Sequence, residues 1–292
     1  MTTTNVYELI GSNGDTIIFD NVHYAVLRDN LEGFSGYPVE MNYISPPGHI
    51  GDKQTNLRFT RRTLSLKIAT IANSSVNHEA QRVRLIKALN PANGDSTLIW
   101  HKSNETSVYI KVVPDNGYPA FTGVDPVDWI READLDLVAQ DPCWYALEEL
   151  VQYPLRGFTG GFSLPFSLPV SFGTVGGSLT ITNPGDVPSG CTITVHGRMV
   201  TPVITNETTG ETITIKQTVD TGEVLTISTY DGNRSVTLTD ALGNVSNAMH
   251  YVTIGSSYWQ IHPGGNVMSI TAAEADTDAV AYVSYVPRYP AQ

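Results

Sequence analysis

The residues of this chain that could do chemistry do not gather at the spacings chemistry needs. Glu148 and Glu149 are adjacent, so on a strand they point to opposite faces. A glycosidase needs two carboxyls about 5 to 10 Å apart facing one sugar. The seven histidines contain no His-x-His and no His-Glu-x-x-His, the local patterns that would bring zinc ligands together. Cys143 and Cys191 stand in no metal-ligand or nucleophile spacing and read as buried or reduced thiols, with a disulfide between them left open. Asp231-Gly232-Asn233 lacks the further acidic ligands of a calcium loop and reads as a hairpin turn. Gly160-Gly161, Gly176-Gly177 and Gly264-Gly265 read as turns, because none opens a helix whose N-terminus could hold phosphate. The aromatics Trp144, Tyr258, Trp259 and Tyr282 could offer a sugar-stacking platform, with Trp259 and Tyr258 the first candidates, although large rings are more often buried. No catalytic, cofactor-binding or metal residue is expected.

The elements that must position these groups are strands. The 292 residues suggest two domains, and 25 Gly, 17 Pro and only 16% charged residues fit a turn-rich, mainly β chain. The net charge of -12 argues against gripping nucleic acid. No stretch approaches the ~20 apolar residues of a membrane helix, and Met1 to Asn5 lack the features of a secretory signal. A soluble protein made in the cytoplasm is the expectation.

In the first half, strands are expected at 6–10, 15–19, 23–27, 62–71, 97–101, 107–113 and 133–139; Leu64, Leu66 and Ile68 alternate with polar residues as one buried face requires. Residues 43–52, with Pro46, Pro47, Gly48 and Gly51, read as a projecting loop. One helix is predicted from His78 to Leu89, capped by Asn77 and stopped before Pro91, with Ala80, Val83, Ile86 and Leu89 toward a sheet and Arg82, Arg84 and Lys87 toward solvent or a neighbouring chain. This first domain is placed at 1–150.

Residues 151–177 read as a Gly/Phe/Pro-rich linker, too aromatic to be a free spacer. From 178 to 292 nearly every window is a short strand with a turn behind it, including Cys191 to Gly197, Glu223 to Thr229 and Met249 to Thr253, which indicates a β-sandwich. Tyr258 to Asn266 reads as a strand, a sharp turn at Pro263-Gly264-Gly265, and another strand.

Several of these segments together resemble one family. In the first half they are Gly48-His49-Ile50-Gly51-Asp52, a short polar gap, Arg61-Arg62-Thr63-Leu64-Ser65-Leu66, and the helix. In the second they are Ile181-Thr182-Asn183-Pro184-Gly185-Asp186, the strand from Cys191, and the run Tyr258-Trp259-Gln260-Ile261-His262-Pro263-Gly264-Gly265-Asn266. In this order, across most of the chain, they resemble the siphophage distal tail proteins.

The resemblance implies an N-terminal split β-barrel with one packed α-helix and a C-terminal galectin-like antiparallel β-sandwich. It implies a hexameric ring joining the tail tube to the tail-tip hub and serving as attachment platform for host-recognition proteins. The implied partners are further copies of the chain, the tail tube protein, the hub or tail-associated protein, and beyond these a tape measure protein and a receptor-binding protein. DNA would pass through the lumen unbound, and no membrane is involved. The implied location is the virion tail tip, after assembly in the host cytoplasm. Gly51, Arg62, Asn183, Gly185, Trp259, Pro263, Gly264 and Asn266 then read as structural turn and pairing residues. The galectin sugar-binding pattern is absent, so lectin activity does not follow from that fold. The rival from another class is a carbohydrate-binding module for cell-wall glycans, and behind it a glycan hydrolase using Glu148 or Glu149.

Overall fold

The computed structural model describes residues 6–36, 38–48, 50–102, 106–115, 117, 119–123, 130–148, 150–156 and 175–291. The chain divides into two compact units, Met1–Glu148 with Tyr289–Gln292, and Glu149–Arg288. The last residues thus return to the first unit, where the sequence assigns everything after 178 to the second.

Unit 1 is built on β1 (Val6–Ile10), β2 (Thr16–Phe19), β3 (Tyr24–Glu32), β4 (Val39–Ile44), β5 (Lys53–Phe59) and β6 (Arg62–Ile71). It continues through α1 (Ser75–Ala88), β7 (Ser96–His101), β8 (Ser107–Pro114), β9 (Thr122–Gly123), β10 (Ile130–Ala139) and β11 (Trp144–Ala146). The main sheet runs β2-β1-β7-β8-β10-β6-β3. Its end strands β2 and β3 touch without pairing, so the sheet rolls into a nearly closed barrel. Period-two burial sets the register: Leu64, Leu66 and Ile68 of β6 lie inside beside Leu135 and Leu137 of β10. Each such fully buried side chain contributes about 1.5–3 kcal/mol. Tyr7, Phe34, Trp100 and Trp144 close the core with ring centroids 5.5–6.0 Å apart.

The helix starts earlier than its sequence suggests. Ser74 is the N-cap, its Oγ accepting from Asn77 N at 3.3 Å, so Asn77 lies inside the first turn. The buried face is also rotated: His78, Leu85, Ala88 and Leu89 face inward, whereas Ala80 and Val83 are exposed. The reason is a polar contact that hydrophobicity does not report, between His78 Nδ1 and the buried Thr70 Oγ1 of β6 at 2.9 Å.

Unit 2 contains β12 (Leu150–Arg156), β13 (Val175–Asn183), β14 (Cys191–His196), β15 (Met199–Val200), β16 (Val203–Asn206), β17 (Glu211–Thr214) and β18 (Thr218–Val219). Then come β19 (Val224–Ser228), β20 (Ser235–Thr239), β21 (Val245–Asn247), β22 (Gly264–Ala272), β23 (Glu274–Ala275) and β24 (Val280–Tyr285), while β25 (Arg288–Tyr289) falls at the boundary, with Tyr289 in unit 1. A six-stranded sheet, β12-β24-β14-β19-β20-β21, shares one core with a four-stranded sheet, β13-β22-β16-β17. Ile193, Leu225 and Val283 of the first meet Ile181, Ile204 and Ile270 of the second in that core, the arrangement of a sandwich.

Both ends of the expected linker are strands: 150–156 forms β12 and 175–183 forms β13, and the intervening residues 157–174 lie outside the described ones. The strand expected at Met249 to Thr253 is instead a 3-10 turn over Met249–Tyr251. There Asn247 Oδ1 accepts from Met249 N at 2.9 Å, a side-chain bond that competes with the ladder.

Candidate functional site

Two features of unit 1 expose apolar surface that the described residues do not cover. The first is the β4–β5 hairpin, which pairs with no other strand of the main sheet. Residues 43–52 were expected to be a loop, yet Tyr43 and Ile44 end β4 and the loop proper is shorter. The register pairs Val39 with Phe59 and Met41 with Leu57, and the positions between them pair Glu40 with Arg58 and Asn42 with Asn56. One face is therefore an apolar stripe and the other is polar, held by the Arg58–Glu40 ion pair at 2.7 Å. An antiparallel sheet with this alternation normally buries its apolar face, but Met41, Tyr43, Leu57 and Phe59 are all exposed. At the tip Ile50 is 107% exposed, Gly51 takes φ +90° in open space, and Asp52 Oδ1 accepts from Ser45 Oγ. His49 lies outside the described residues.

The second feature is a groove of about 680 Å³ lined by Val22, Tyr24, Ile71, Ala80, Gln81 and Arg84 among others, with no carboxylate in its lining. Val76 and Val83 continue its apolar wall along the exposed side of α1. Arg84 Nη2 donates to Thr16 O at 2.8 Å, which holds the guanidinium at the rim. Burial raises the Tyr24 hydroxyl above its ordinary value, and nearby Arg84 opposes that rise.

Arg62 does a different job. It opens β6 at 2% exposure, and its guanidinium is spent on backbone carbonyls. Nε donates to Pro142 O at 2.8 Å and Nη2 to Gly36 O at 3.1 Å. Nη1 also donates to Gly33 O and Nη2 to Pro290 O. Burial pushes its pKa below the usual value. One side chain thus ties the β3–β4 connection, the segment before β11 and the returning C-terminus to the head of β6.

In unit 2 the two sequence motifs form a single knot. Asn183 Nδ2 donates to Ile261 O at 2.9 Å, and its Oδ1 accepts from Gly185 N at 2.8 Å. A Cβ on Gly185 would lie 2.7 Å from Arg288 O, so glycine is required there by close approach. Asn266 Oδ1 accepts from His262 N at 3.0 Å, and its Nδ2 donates to His262 O at 2.7 Å and Gly264 O at 3.0 Å. Asn183 pairs with Gly264 across β13 and β22. Gly264 and Gly265 are therefore the first residues of β22 rather than a turn, and of the two only Gly264 has positive φ. Tyr258 to Ile261 is not a strand; it touches the ladder at one bridge, Ser189 with Ile261. Pro263 sits exposed at the bend between them.

The remaining candidates fall apart in space or in exposure. Trp259 is 2% exposed and Trp144 is fully buried, so neither ring has a face for a sugar. Tyr258 is half-buried, with Oη on Met249 Sδ at 2.8 Å and Arg234 5.9 Å from its ring centre. Glu148 is exposed, and Glu149 lies outside the described residues. Among the described residues no three His, Cys, Asp or Glu converge to hold a metal ion, and no helix is long and apolar enough to cross a membrane. Cys143 and Cys191 are both buried and form no disulfide. One constellation escaped sequence reasoning: Glu8 Oε2, His101 Nε2 at 3.0 Å, and Ser107 Oγ 2.9 Å from His101 Nδ1. These residues lie on the neighbouring strands β1, β7 and β8, where His101 pairs with Ser107, and the row pins the register of those strands. No sequence spacing could have signalled it.

The match that bears on identity falls on the knot. Residues 184–289 match the siphovirus-type tail component, C-terminal domain. Over these residues the chain is similar to that tail-component domain. The matched stretch includes Gly185, Trp259, Pro263, Gly264 and Asn266 and ends at Tyr289. Across the whole chain the fold is that of the SPP1 Dit protein, described as a paradigm of the hub adsorption apparatus in Gram-positive infecting phages. The two are 14% identical, with a TM-score of 0.70 over 98% of this chain and 99% of that one. Chains of the phage P2 baseplate in its activated conformation are similar at 10% identity. With Ca the TM-score is 0.59, covering 98% of each chain; with Sr it is 0.55, covering 97% of this chain and 98% of that one. At these identities the likeness is one of fold. No curated protein matches the chain. The resemblance to siphophage distal tail proteins and the mainly β, two-part fold expected from the sequence both stand.

Proposed function

We propose that this protein is a structural component of a long, non-contractile phage tail, located in the virion at the tail tip. In this reading copies of unit 1 close into a ring of six that joins the tail tube to the hub. Unit 2, a galectin-like sandwich, faces outward as a platform for host-recognition proteins. Tail tube and hub proteins are the direct partners; a tape measure protein and a receptor-binding protein are the further ones. The observation that carries the reading is the likeness of fold to SPP1 Dit over nearly the full length of both chains, joined to the tail-component domain at 184–289. The apolar face of the β4–β5 hairpin, exposed among the described residues, supports it, since a monomer gains nothing from such a face. The acidic balance of the chain suits a lumen that DNA slides through without sticking. The Glu8–His101–Ser107 row is given no catalytic part, because its three residues serve strand register. Light scattering after size exclusion, with negative-stain images of the same fraction, tests the ring. Six-fold particles with a central hole are expected. A chain that stays monomeric at high concentration and with the tail tube and hub proteins added would overturn the reading.

A further inference from the structure

The exposed hairpin and the groove lie at opposite ends of one ladder. β3 and β6 pair Tyr24 with Thr70 beside the groove and Glu32 with Ser65 beside the hairpin. At about 3.3 Å per residue the two ends of the ten-residue β6 stand roughly 30 Å apart. A protruding apolar feature at one end and a concave one at the other form a heterologous pair, which builds rings or filaments rather than a two-fold dimer.

The chemistry of the two surfaces is complementary. The hairpin tip offers Ile50, bare of contacts, and the carboxylate Asp52, which has no cationic partner among the described residues. The groove offers an apolar wall of Val22, Ile71 and Ala80, with the cation Arg84 at its rim and no carboxylate in its lining. The stripe Met41, Tyr43 and Leu57 behind the tip matches the exposed line Val76, Ala80 and Val83 on α1, which recurs at helical spacing. A two-stranded hairpin alone is marginal in water and leaves both its edges open, so the arm has reason to be covered.

We propose that the β4–β5 arm of one copy docks in the groove of the next, with Ile50 against Val22 and Ala80, Asp52 against Arg84, and the apolar stripe along α1. The occupant of the groove is a second copy of this chain, and the contact rests on the ring reading above. It makes every junction alike.

Cysteine capture in the full-length chain tests this contact. Ile50→Cys in one preparation and Ala80→Cys in another place thiols on exposed positions that the core does not use, while Cys143 and Cys191 stay buried. On mild oxidation the mixture should give a covalent dimer reversed by reductant. The variant carrying both substitutions should give a ladder of covalent multimers. Asp52→Arg or Arg84→Glu introduced into the cross-linking pair should abolish the dimer, and the two together should restore it. Native particles seen by light scattering with no dimer in the mixture would sink this contact and leave the ring reading standing. No particles and no dimer would sink both.

Discussion

Replacing Arg62 with Met should destabilise unit 1 while leaving the stability of unit 2 unchanged. The guanidinium carries four donor contacts, to the carbonyls of Gly33, Gly36, Pro142 and Pro290. A hydrogen bond to a charged group is worth about 1.5–3 kcal/mol net, so four would sum to about 6–12 kcal/mol, comparable to the whole stability of a domain. Two effects shrink that sum. The native state also bears the cost of burying a cation against carbonyl dipoles alone, a cost visible as the downward push on its pKa. The Gly33 and Gly36 side of the cluster also borders a cleft of about 200 Å³, through which water can satisfy those two carbonyls once the guanidinium is gone. The carbonyls of Pro142 and Pro290 remain the expensive pair, and the net loss is about 3–5 kcal/mol.

At roughly 2–4 °C per kcal/mol for a unit of this size, the unit 1 transition should fall by roughly 10–15 °C in scanning calorimetry of the full chain. Hydrogen exchange should rise together at 33–36, 141–143 and 288–291. Arg62→Lys keeps a charge but lacks the fork, so it should recover only a minor part of the loss. Removing residues 289–292 takes away the Pro290 acceptor together with Tyr289, which packs against the unit 1 core, and should also lower the unit 1 transition. A shift below about 2 °C, or an equal shift of the unit 2 transition, would refute the claim that this side chain is the clamp.

Other outcomes follow from the same contacts. Asn266→Ala removes three bonds made by a fully buried side chain and should destabilise unit 2 by about 2–4 kcal/mol in urea; Asn266→Asp, which adds a buried charge, should be worse. Gly33→Ala should be severe, because φ is +78° and the new Cβ would fall on the Thr63 carbonyl, whereas Gly51→Ala meets open space and should cost only about 1–2 kcal/mol of backbone strain. Burial pushes the Cys191 thiol up to about 12, against an ordinary 9.0. A raised folded pKa means the folded chain keeps a proton that the unfolded chain releases. This part of the stability is therefore full below pH 9 and lost as pH climbs toward 12, by up to about 4 kcal/mol. Urea midpoints of the wild type and Cys191→Ala from pH 8 to 11 should converge with rising pH; parallel slopes would sink the point.

What could be read from the sequence, and what could not, follows from where each residue finds its partner. Leu64, Leu66 and Ile68 bury themselves by a period of two that any window shows, and Asn183-Pro184-Gly185-Asp186 carries its own turn chemistry. Their positions could be named because the cause is local. The helix face is not legible in the sequence because its decisive contact, His78 with Thr70, joins residues on two elements and looks polar there. Gly264 and Gly265 look like the turn in the sequence, whereas the reversal belongs to His262 and Pro263, since Asn266 closes it with its side chain. Arg62 could be picked out by motif but not explained, as its acceptors come from three distant segments. Trp259 shows the converse: an aromatic in a turn-rich sandwich looks like a stacking platform until its burial is known. The β4–β5 arm is a harder case. Its alternation says that one face wants to be buried, and that inference is sound; what alternation does not say is whether the covering surface belongs to the same molecule. An apolar face left exposed among the described residues is thus the place where sequence pattern stops describing the fold and starts describing the assembly.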